Sequence, residues 1–227
     1  MPNVAFVTSS MHYRLGKGVV VKTENAAKPQ RQRSAYLSAL LADLPPVETC
    51  FDYGCGKLRY SNAILKRVDR LAVVDSETQL SRTQKLGRAS CSIRSLLQRS
   101  NAIEVYNDQE FRDLSIQFDR GFCINVLSVI PILARRRRVI ETIRSRLKRG
   151  AGCLFVVQYR NSDFDRMRLM PNARPWLDGF LIDSLRGFSF YGLISPDRLA
   201  ALVRRGGLVV KEVKLNEGSA YLWATHE

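Results

Sequence analysis

The residues whose types and spacing could carry chemistry are Asp52-Tyr53-Gly54-Cys55-Gly56-Lys57-Leu58 and, at the end of the next apolar run, Asp75. The heptapeptide closes a predicted strand and precedes a predicted helix. Glycine at two close positions in such a turn lets backbone amides approach a ligand that a side chain would hold away. A glycine pair alone is a weak signal, because ordinary strand-to-helix turns carry one too. Asp75 adds weight: about 20 residues on, a carboxylate at a strand end can accept both hydroxyls of a ribose.

A scaffold must hold these groups. Leu37, Leu40, Leu41 and Leu44 predict a helix over Ser34 to Leu44, stopped by Pro45 and Pro46. Val47 to Tyr53, Leu71 to Val74, Ala102 to Tyr106, Phe118 to Leu127 and Cys153 to Gln158 read as strands. Between them Asn62 to Val68 reads as a helix, and Thr78 to Arg99 as one or two. Pro131 opens another through Leu147, with an apolar stripe of Ile132, Val139, Ile140, Ile143 and Leu147. Apolar strands alternating with helices mean a parallel sheet covered on both faces. The end departs from this rhythm. A helix, Pro196 to Arg204, is stopped by Gly206 and Gly207. Leu208 to Val213 and Tyr221 to Ala224 then flank Asn216-Glu217-Gly218 as a terminal hairpin.

With this order of elements, from Ser34 to Glu227, the chain resembles the class I S-adenosylmethionine-dependent methyltransferases. In that family an acidic residue opens the glycine motif, another ends the second strand, and an Asp after the third strand lies near the adenine. Asp52, Gly54, Gly56, Asp75 and Asp108 stand in those places. The resemblance implies an α/β, Rossmann-like, doubly wound and mainly parallel seven-stranded sheet with a C-terminal antiparallel hairpin. It also implies S-adenosylmethionine as cofactor and S-adenosylhomocysteine as product, bound by Asp52, Gly54, Cys55, Gly56, Asp75, Ser76, Asp108, Gln109 and Asn125. Asp52 would repel a pyrophosphate, yet it can accept from the amino group of the methionine moiety, unlike a dinucleotide turn. Leu58 departs from the family, which often has a third glycine there; S-adenosylmethionine carries no phosphate, so a less open turn suits it.

Family acceptors lie beyond the fourth strand, here Asn125-Val126-Leu127-Ser128-Val129-Ile130-Pro131. Methyl transfer is in-line displacement at a sulfonium, so the protein mainly positions the nucleophile and excludes water. Asn125 and, at the end of the fifth strand, Tyr159 are the expected catalytic groups. His12 is a base only if the N-terminal segment folds over the site. The Asp/Asn/Ser-Pro-Pro-aromatic motif of amino-directed DNA methyltransferases is missing, as is the Pro-Cys nucleophile of cytosine-C5 enzymes.

Charge points to the partner. The 227 residues carry 36 Lys plus Arg against 21 Asp plus Glu, a net charge of +15. The excess gathers in two stretches. A basic extension, residues 1–33, has little core potential and sets Arg14, Lys17, Lys22, Lys28, Arg31 and Arg33 against Glu24. From Arg135 to Gly150 the bases Arg135, Arg136, Arg137, Arg138, Arg144, Arg146, Lys148 and Arg149 face only Glu141. Arginines in the first turns of a helix oppose its dipole, and a concentrated positive field gathers polyanions. DNA or RNA is therefore the expected partner and acceptor, held by Arg31, Arg33, Arg135, Arg136, Arg137 and Arg138. Residues 160–191 form an insertion in which Phe164, Trp176, Phe180, Phe188, Phe190 and Tyr191 alternate with Arg166, Arg168, Arg174 and Arg186. Such a segment suits stacking on a base, or its own small core. The rival readings are a small-molecule or protein acceptor, and a noncatalytic binding module.

Cys50, Cys55, Cys91, Cys123 and Cys153 form no CxxC pair and, with His12 and His226 alone beside them, cannot build a zinc site of the usual spacing. They read as small buried hydrophobes in a reducing cytoplasm. No apolar run approaches the roughly 20 residues of a bilayer span, and Met1 to Ser10 lacks the charged-then-apolar pattern of a leader. The expectation is a soluble cytoplasmic protein without a membrane partner.

Overall fold

The structure, a computed structural model, describes residues 12–16, 18–160 and 162–227. The Met1 to Ser10 segment and Lys17, both used in the sequence reading, lie outside the described residues. The extension forms a hairpin of β1 (His12–Arg14) and β2 (Val20–Lys22) and then a short 3-10 helix, Thr23–Ala26. There follow α1 (Ala35–Ala42), β3 (Val47–Tyr53), α2 (Ser61–Leu65), β4 (Val68–Asp75), α3 (Glu77–Ser81), β5 (Gln84–Leu86), β6 (Ala89–Cys91) and α4 (Ile93–Leu97). Next come β7 (Ile103–Asn107), α5 (Asp108–Asp113), β8 (Phe118–Ile124), a 3-10 turn at Leu127–Val129, α6 (Leu133–Arg146) and β9 (Leu147–Gln158). The insertion supplies α7 (Ser162–Leu169), β10 (Ala173–Trp176), β11 (Gly179–Ile182) and β12 (Ser189–Gly192). The chain ends with α8 (Pro196–Arg205), β13 (Val209–Asn216) and β14 (Ser219–Thr225).

The seven-stranded sheet has the order β13-β14-β9-β8-β3-β4-β7. The strands from β9 to β7 pair in parallel, while β14 runs antiparallel to both β9 and β13. This is the expected doubly wound sheet with its terminal hairpin. Strand periodicity divides the core into two layers. Phe51, Tyr53, Val74, Phe155 and Val157 face α5, α6 and α8 through Phe111, Ile140, Ile143, Leu199 and Val203. Cys50, Val73, Phe122, Leu154 and Val156 face the other way, onto Leu37 and Leu41 of α1, Ile64 of α2 and Leu80 of α3.

Local chemistry sets the helix ends. Ser34 Oγ accepts from Leu37 N at 3.2 Å and caps α1, and Asn107 with Glu110 forms a capping box on α5. The structure differs from expectation between Thr78 and Arg99, where the antiparallel pair β5 and β6 separates two short helices. That hairpin turns at Gly87, with φ 60°, a single glycine among polar residues that carries little periodicity.

The extension is less detached than its composition suggests. Leu15 and Val21 are buried against Leu181 and Phe190 of the insertion. Val21 bridges Phe188 in parallel, and Lys22 N donates to Phe188 O at 2.8 Å. Two apolar residues in a basic segment suffice because the insertion supplies the rest of that small core. Phe190 is only 1% exposed, so it packs there and presents no face for stacking.

Candidate active site at the carboxyl edge of the sheet

The sheet order reverses between β3 and β8, and in open parallel sheets ligands bind beyond the carboxyl ends of the strands at such a point. A cavity of about 510 Å³ lies there, its lining including Asp52, Gly54, Cys55, Gly56, Asp75 and Asn125. Gly54 and Gly56 both take left-handed backbone, φ 77° and 58°. A Cβ on Gly54 would fall 2.2 Å from Val126 Cγ2, so the turn after β3 and the turn after β8 approach too closely for any side chain. Around Gly56 the nearest atom to an added Cβ is Ala27 Cβ at 3.8 Å, so its requirement is the sign of φ.

Two other residues share that left-handed region without being glycine. Leu58 has φ 58° in the third place of the turn, and Asn125 has φ 60° just past β8. Such backbone costs free energy and persists where surrounding contacts fix it. Asn125 N donates to Val156 O at 2.8 Å, and Ser128 Oγ donates to Asn125 O at 3.2 Å. The Asn125 side chain thereby stands at the cavity wall.

The two site carboxylates are buried. Asp52 is 3% exposed and accepts from Ser61 Oγ at 2.7 Å; burial raises its pKa to about 6. Asp75 accepts from Gly56 N at 2.9 Å and from Ser76 N at 2.7 Å. Burial pushes it up to about 6, against those hydrogen bonds. Asp75 thus fixes the glycine turn, and an ionised carboxylate keeps lone pairs for further donors. Burial holds the Cys55 thiol well above its usual range, which leaves it inert at neutral pH.

Thr23, Glu24, Ala26, Ala27 and Lys28 of the extension and Tyr191 of β12 complete the cavity wall. His12 is not among the lining residues and meets the cavity wall through Glu24, its Nε2 lying 2.8 Å from Glu24 Oε1. Glu24, Gln79, Gln158 and Tyr191 line the cavity, though none was assigned a site role from sequence. Gln158 was readable from strand alternation two residues after Val156. Glu24 was the one acid in a basic segment, a signal that composition alone left unused.

Several expected site residues stand elsewhere. Tyr159 is a correction: one position beyond Gln158, it turns to the opposite sheet face and packs against the core there. Asp108, expected near the adenine, accepts from Tyr53 Oη and pairs with Arg112 at 3.2 Å, outside the cavity lining. Ser76 caps α3 through its bond from Gln79 N at 3.2 Å, and Gln109 is exposed and bonded to Asp113 and Arg112. Arg136 is the clearest correction, since it is 0% exposed and cannot belong to a surface patch. Its guanidinium holds Asp178 at 2.5 and 2.8 Å and Ile130 O at 2.9 Å. Of the other arginines assigned to nucleic acid, Arg137 pairs with Glu141 at 3.1 Å, Arg33 lines the cavity, and Arg31 and Arg138 are exposed.

Solved structures share this architecture. That of CalS10 from Micromonospora echinaspora, an amino pentose methyltransferase with S-adenosylmethionine bound, matches with TM-score 0.59 and 14% identity, covering 87% of this chain and 94% of its own. An S-adenosylmethionine-dependent methyltransferase from Clostridium acetobutylicum matches at 0.59 with 12% identity, over 88% and 93% of the two chains. The N-methyltransferase NodS from Bradyrhizobium japonicum, in complex with S-adenosylhomocysteine, matches at 0.53 with 14% identity over 84% of each. The chain thus has the class I, Rossmann-like fold of S-adenosylmethionine-dependent methyltransferases, and by sequence it belongs to one family with YmfD. In sequence it is similar to YmfD, an uncharacterized protein of Escherichia coli K12, with 30% identity over 210 residues, 90% of this chain and 92% of that one. No family model matches the chain. Among the described residues no helix is long and apolar enough to cross a membrane.

Proposed function

We propose that this chain is an S-adenosylmethionine-dependent methyltransferase whose acceptor is a small molecule. The observation that carries the reading is the cavity itself: the glycine turn, Asp75 and Asn125 form one wall, and the extension and Tyr191 form another. A volume of about 510 Å³ lies within the usual range of small-ligand sites, roughly 300–1,000 Å³. The relatives whose names state an acceptor add support, one being an amino pentose methyltransferase. The nucleic-acid reading loses its basis in charge where Arg136 is buried against Asp178.

The residues present fit the cofactor. Asp75 offers a buried carboxylate for the ribose hydroxyls, and Asp52 with the open backbone at Gly54 suits the amino group of the methionine half. When bound, S-adenosylmethionine supplies an electrophilic methyl on a sulfonium. The chain's task is then to hold an acceptor beside Asn125, Gln158 and Tyr191 and to keep water out, which the extension and insertion do by covering the strand ends.

Calorimetric titration with S-adenosylmethionine and S-adenosylhomocysteine, followed by transfer of labelled methyl to pooled small metabolites, RNA and DNA, tests this. Micromolar cofactor binding with label in the small-molecule fraction is expected. Label confined to nucleic acid would overturn the acceptor, and binding without any transfer would favour a noncatalytic module.

A further inference from the structure

Three buried polar atoms near the glycine turn have no hydrogen-bond partner among the described residues: Glu24 Oε2, Gln79 Oε1 and Arg82 Nε. Buried polar groups are nearly always satisfied, so each orphan requires an account. Glu24 and Gln79 both line the cavity. The Glu24 side chain is 8% exposed, and only its Oε1 is engaged, by His12. The Gln79 amide nitrogen donates to Gly56 O and, at 3.0 Å, to Gln84 Oε1, which leaves its oxygen as a free acceptor.

Contacts tie these groups to one end of the cavity. Arg82 Nη2 donates to Glu24 O at 2.9 Å, and its guanidinium lies within electrostatic reach of both Glu24 and Asp75. Gly56 bonds Asp75 through its N–H and Gln79 through its carbonyl. Ala27, three residues beyond Glu24, has the atom nearest to where a Cβ on Gly56 would lie, at 3.8 Å. Asp75, Gln79 and Glu24 therefore gather three acceptors around a single turn, in a protein of net charge +15. Acceptors without donors call for a ligand that brings N–H or O–H groups.

We propose that the N-terminal extension is part of the cofactor site, with Glu24 Oε2 and Gln79 Oε1 accepting from the hydroxyl and amino donors of the nucleoside half. The inference rests on the cofactor reading above and adds residues that lie outside the glycine motif. His12 holds the other oxygen of Glu24 and so orients the carboxylate. Both orphan oxygens are buried and belong to residues that line the cavity.

The test is calorimetry with S-adenosylhomocysteine and with 5′-methylthioadenosine, which keeps the nucleoside but lacks the amino-acid half, on wild type, Glu24→Ala and Glu24→Gln. Glu24→Ala is expected to weaken both ligands by the same factor, roughly tenfold to a hundredfold for a lost hydrogen bond to a buried charge. Glu24→Gln, which keeps one acceptor oxygen, should lose less. The ligand-free melting temperature should hold or rise, because an unsatisfied buried oxygen is removed; a merely structural carboxylate would lower it and leave affinity intact. Affinities within twofold of wild type in Glu24→Ala would overturn the proposal, as would a loss confined to S-adenosylhomocysteine. Failure of the wild type to bind either ligand would instead remove the cofactor reading.

Discussion

At the carboxyl edge of the sheet, each functional residue is positioned by the strand it ends; in the cover above it, by contacts between segments far apart in the chain. Asp52 lies in β3, Asp75 closes β4 and Asn125 follows β8, so the parallel registers fix their mutual distances. The strands of the cover pair among themselves, β1 with β2 and β10-β11-β12 in a row, and not with that sheet. The cover's small core joins Leu15 and Val21 from the extension to Leu181 and Phe190 from the insertion, and a single backbone bridge, Val21 with Phe188, aligns them. The edge is thus held by hydrogen bonding within one seven-stranded sheet, whereas extension and insertion, each with its own small sheet, meet through a small apolar core and the Val21–Phe188 bridge. Sites in α/β proteins commonly divide this way, with binding groups on the scaffold and moving parts in loops.

Arg136 is the joint between the two regions, and breaking it should have the largest effect. From α6 it donates to Ile130 O beside the edge and grips Asp178 in the cover. Arg136→Ala would leave Asp178, 5% exposed, as an uncompensated buried charge, which costs about 3–5 kcal/mol. Urea unfolding should report that loss; a change below about 1 kcal/mol would mean that the pair joins nothing.

Asp75→Ala tests the edge alone. Removing the carboxylate that holds the turn, and to which we assign the ribose hydroxyls, is expected to weaken S-adenosylhomocysteine by about 2–3 kcal/mol, roughly 30- to 160-fold. The unfolding midpoint should change much less than for Arg136→Ala. Undiminished affinity would show that the ribose hydroxyls are bound elsewhere.

Acidification separates the regions without mutation. Asp52 and Asp75 have pKa values raised by burial to about 6, and a cofactor that donates to them needs them ionised. Affinity should therefore fall as pH drops from 7 to 5, by about 1.4 kcal/mol for each carboxylate that is coupled to binding. In the ligand-free protein the same shifts act in the opposite direction. Between the ordinary value of 3.8 and about 6 the folded state holds more protons than the unfolded state, so their contribution to stability grows as pH falls through that window. Calorimetry at several pH values reads the first trend and thermal unfolding the second. Affinity that stays flat from pH 7 to 5 would mean that neither carboxylate meets a donor from the cofactor.

The same contrast explains what could be read from sequence. The alternation of apolar strands with helices, the glycine turn and Asp75 were legible because each is a local pattern repeated at fixed spacing. The hairpin of β5 and β6 was not, since three-residue strands show almost no periodicity. Tyr159 was misassigned by one residue, and in a strand one residue is a change of face. Asp108 had the expected position in the chain, but the tyrosine inside the glycine motif, Tyr53, claims its carboxylate. Glu24 needed knowledge that the extension folds back onto the turn, a long-range contact with no local pattern.

Arg137 gives the smallest expected effect and the sharpest form of the comparison, because it adjoins Arg136 on α6. Its partner Glu141 lies one helical turn on at 3.1 Å, with side chains 61% and 48% exposed. Exposed pairs of this kind contribute about 0.3–0.5 kcal/mol. Arg137 also sits in the early part of α6, where the helix dipole disfavours a cation by a similar few tenths. The two terms oppose each other, so Arg137→Ala should change the unfolding free energy by less than about 0.5 kcal/mol in either direction. Salt should diminish even that, because both contributions are screened at the surface. Neighbouring arginines of one run, identical in composition, would then differ severalfold in what they contribute, and the difference would come from the cover: Arg136 meets a carboxylate of the insertion, Arg137 one of its own helix. A loss at Arg137 comparable to that at Arg136 would mean instead that the whole arginine run stabilises α6, and that the joint between edge and cover is spread along the helix.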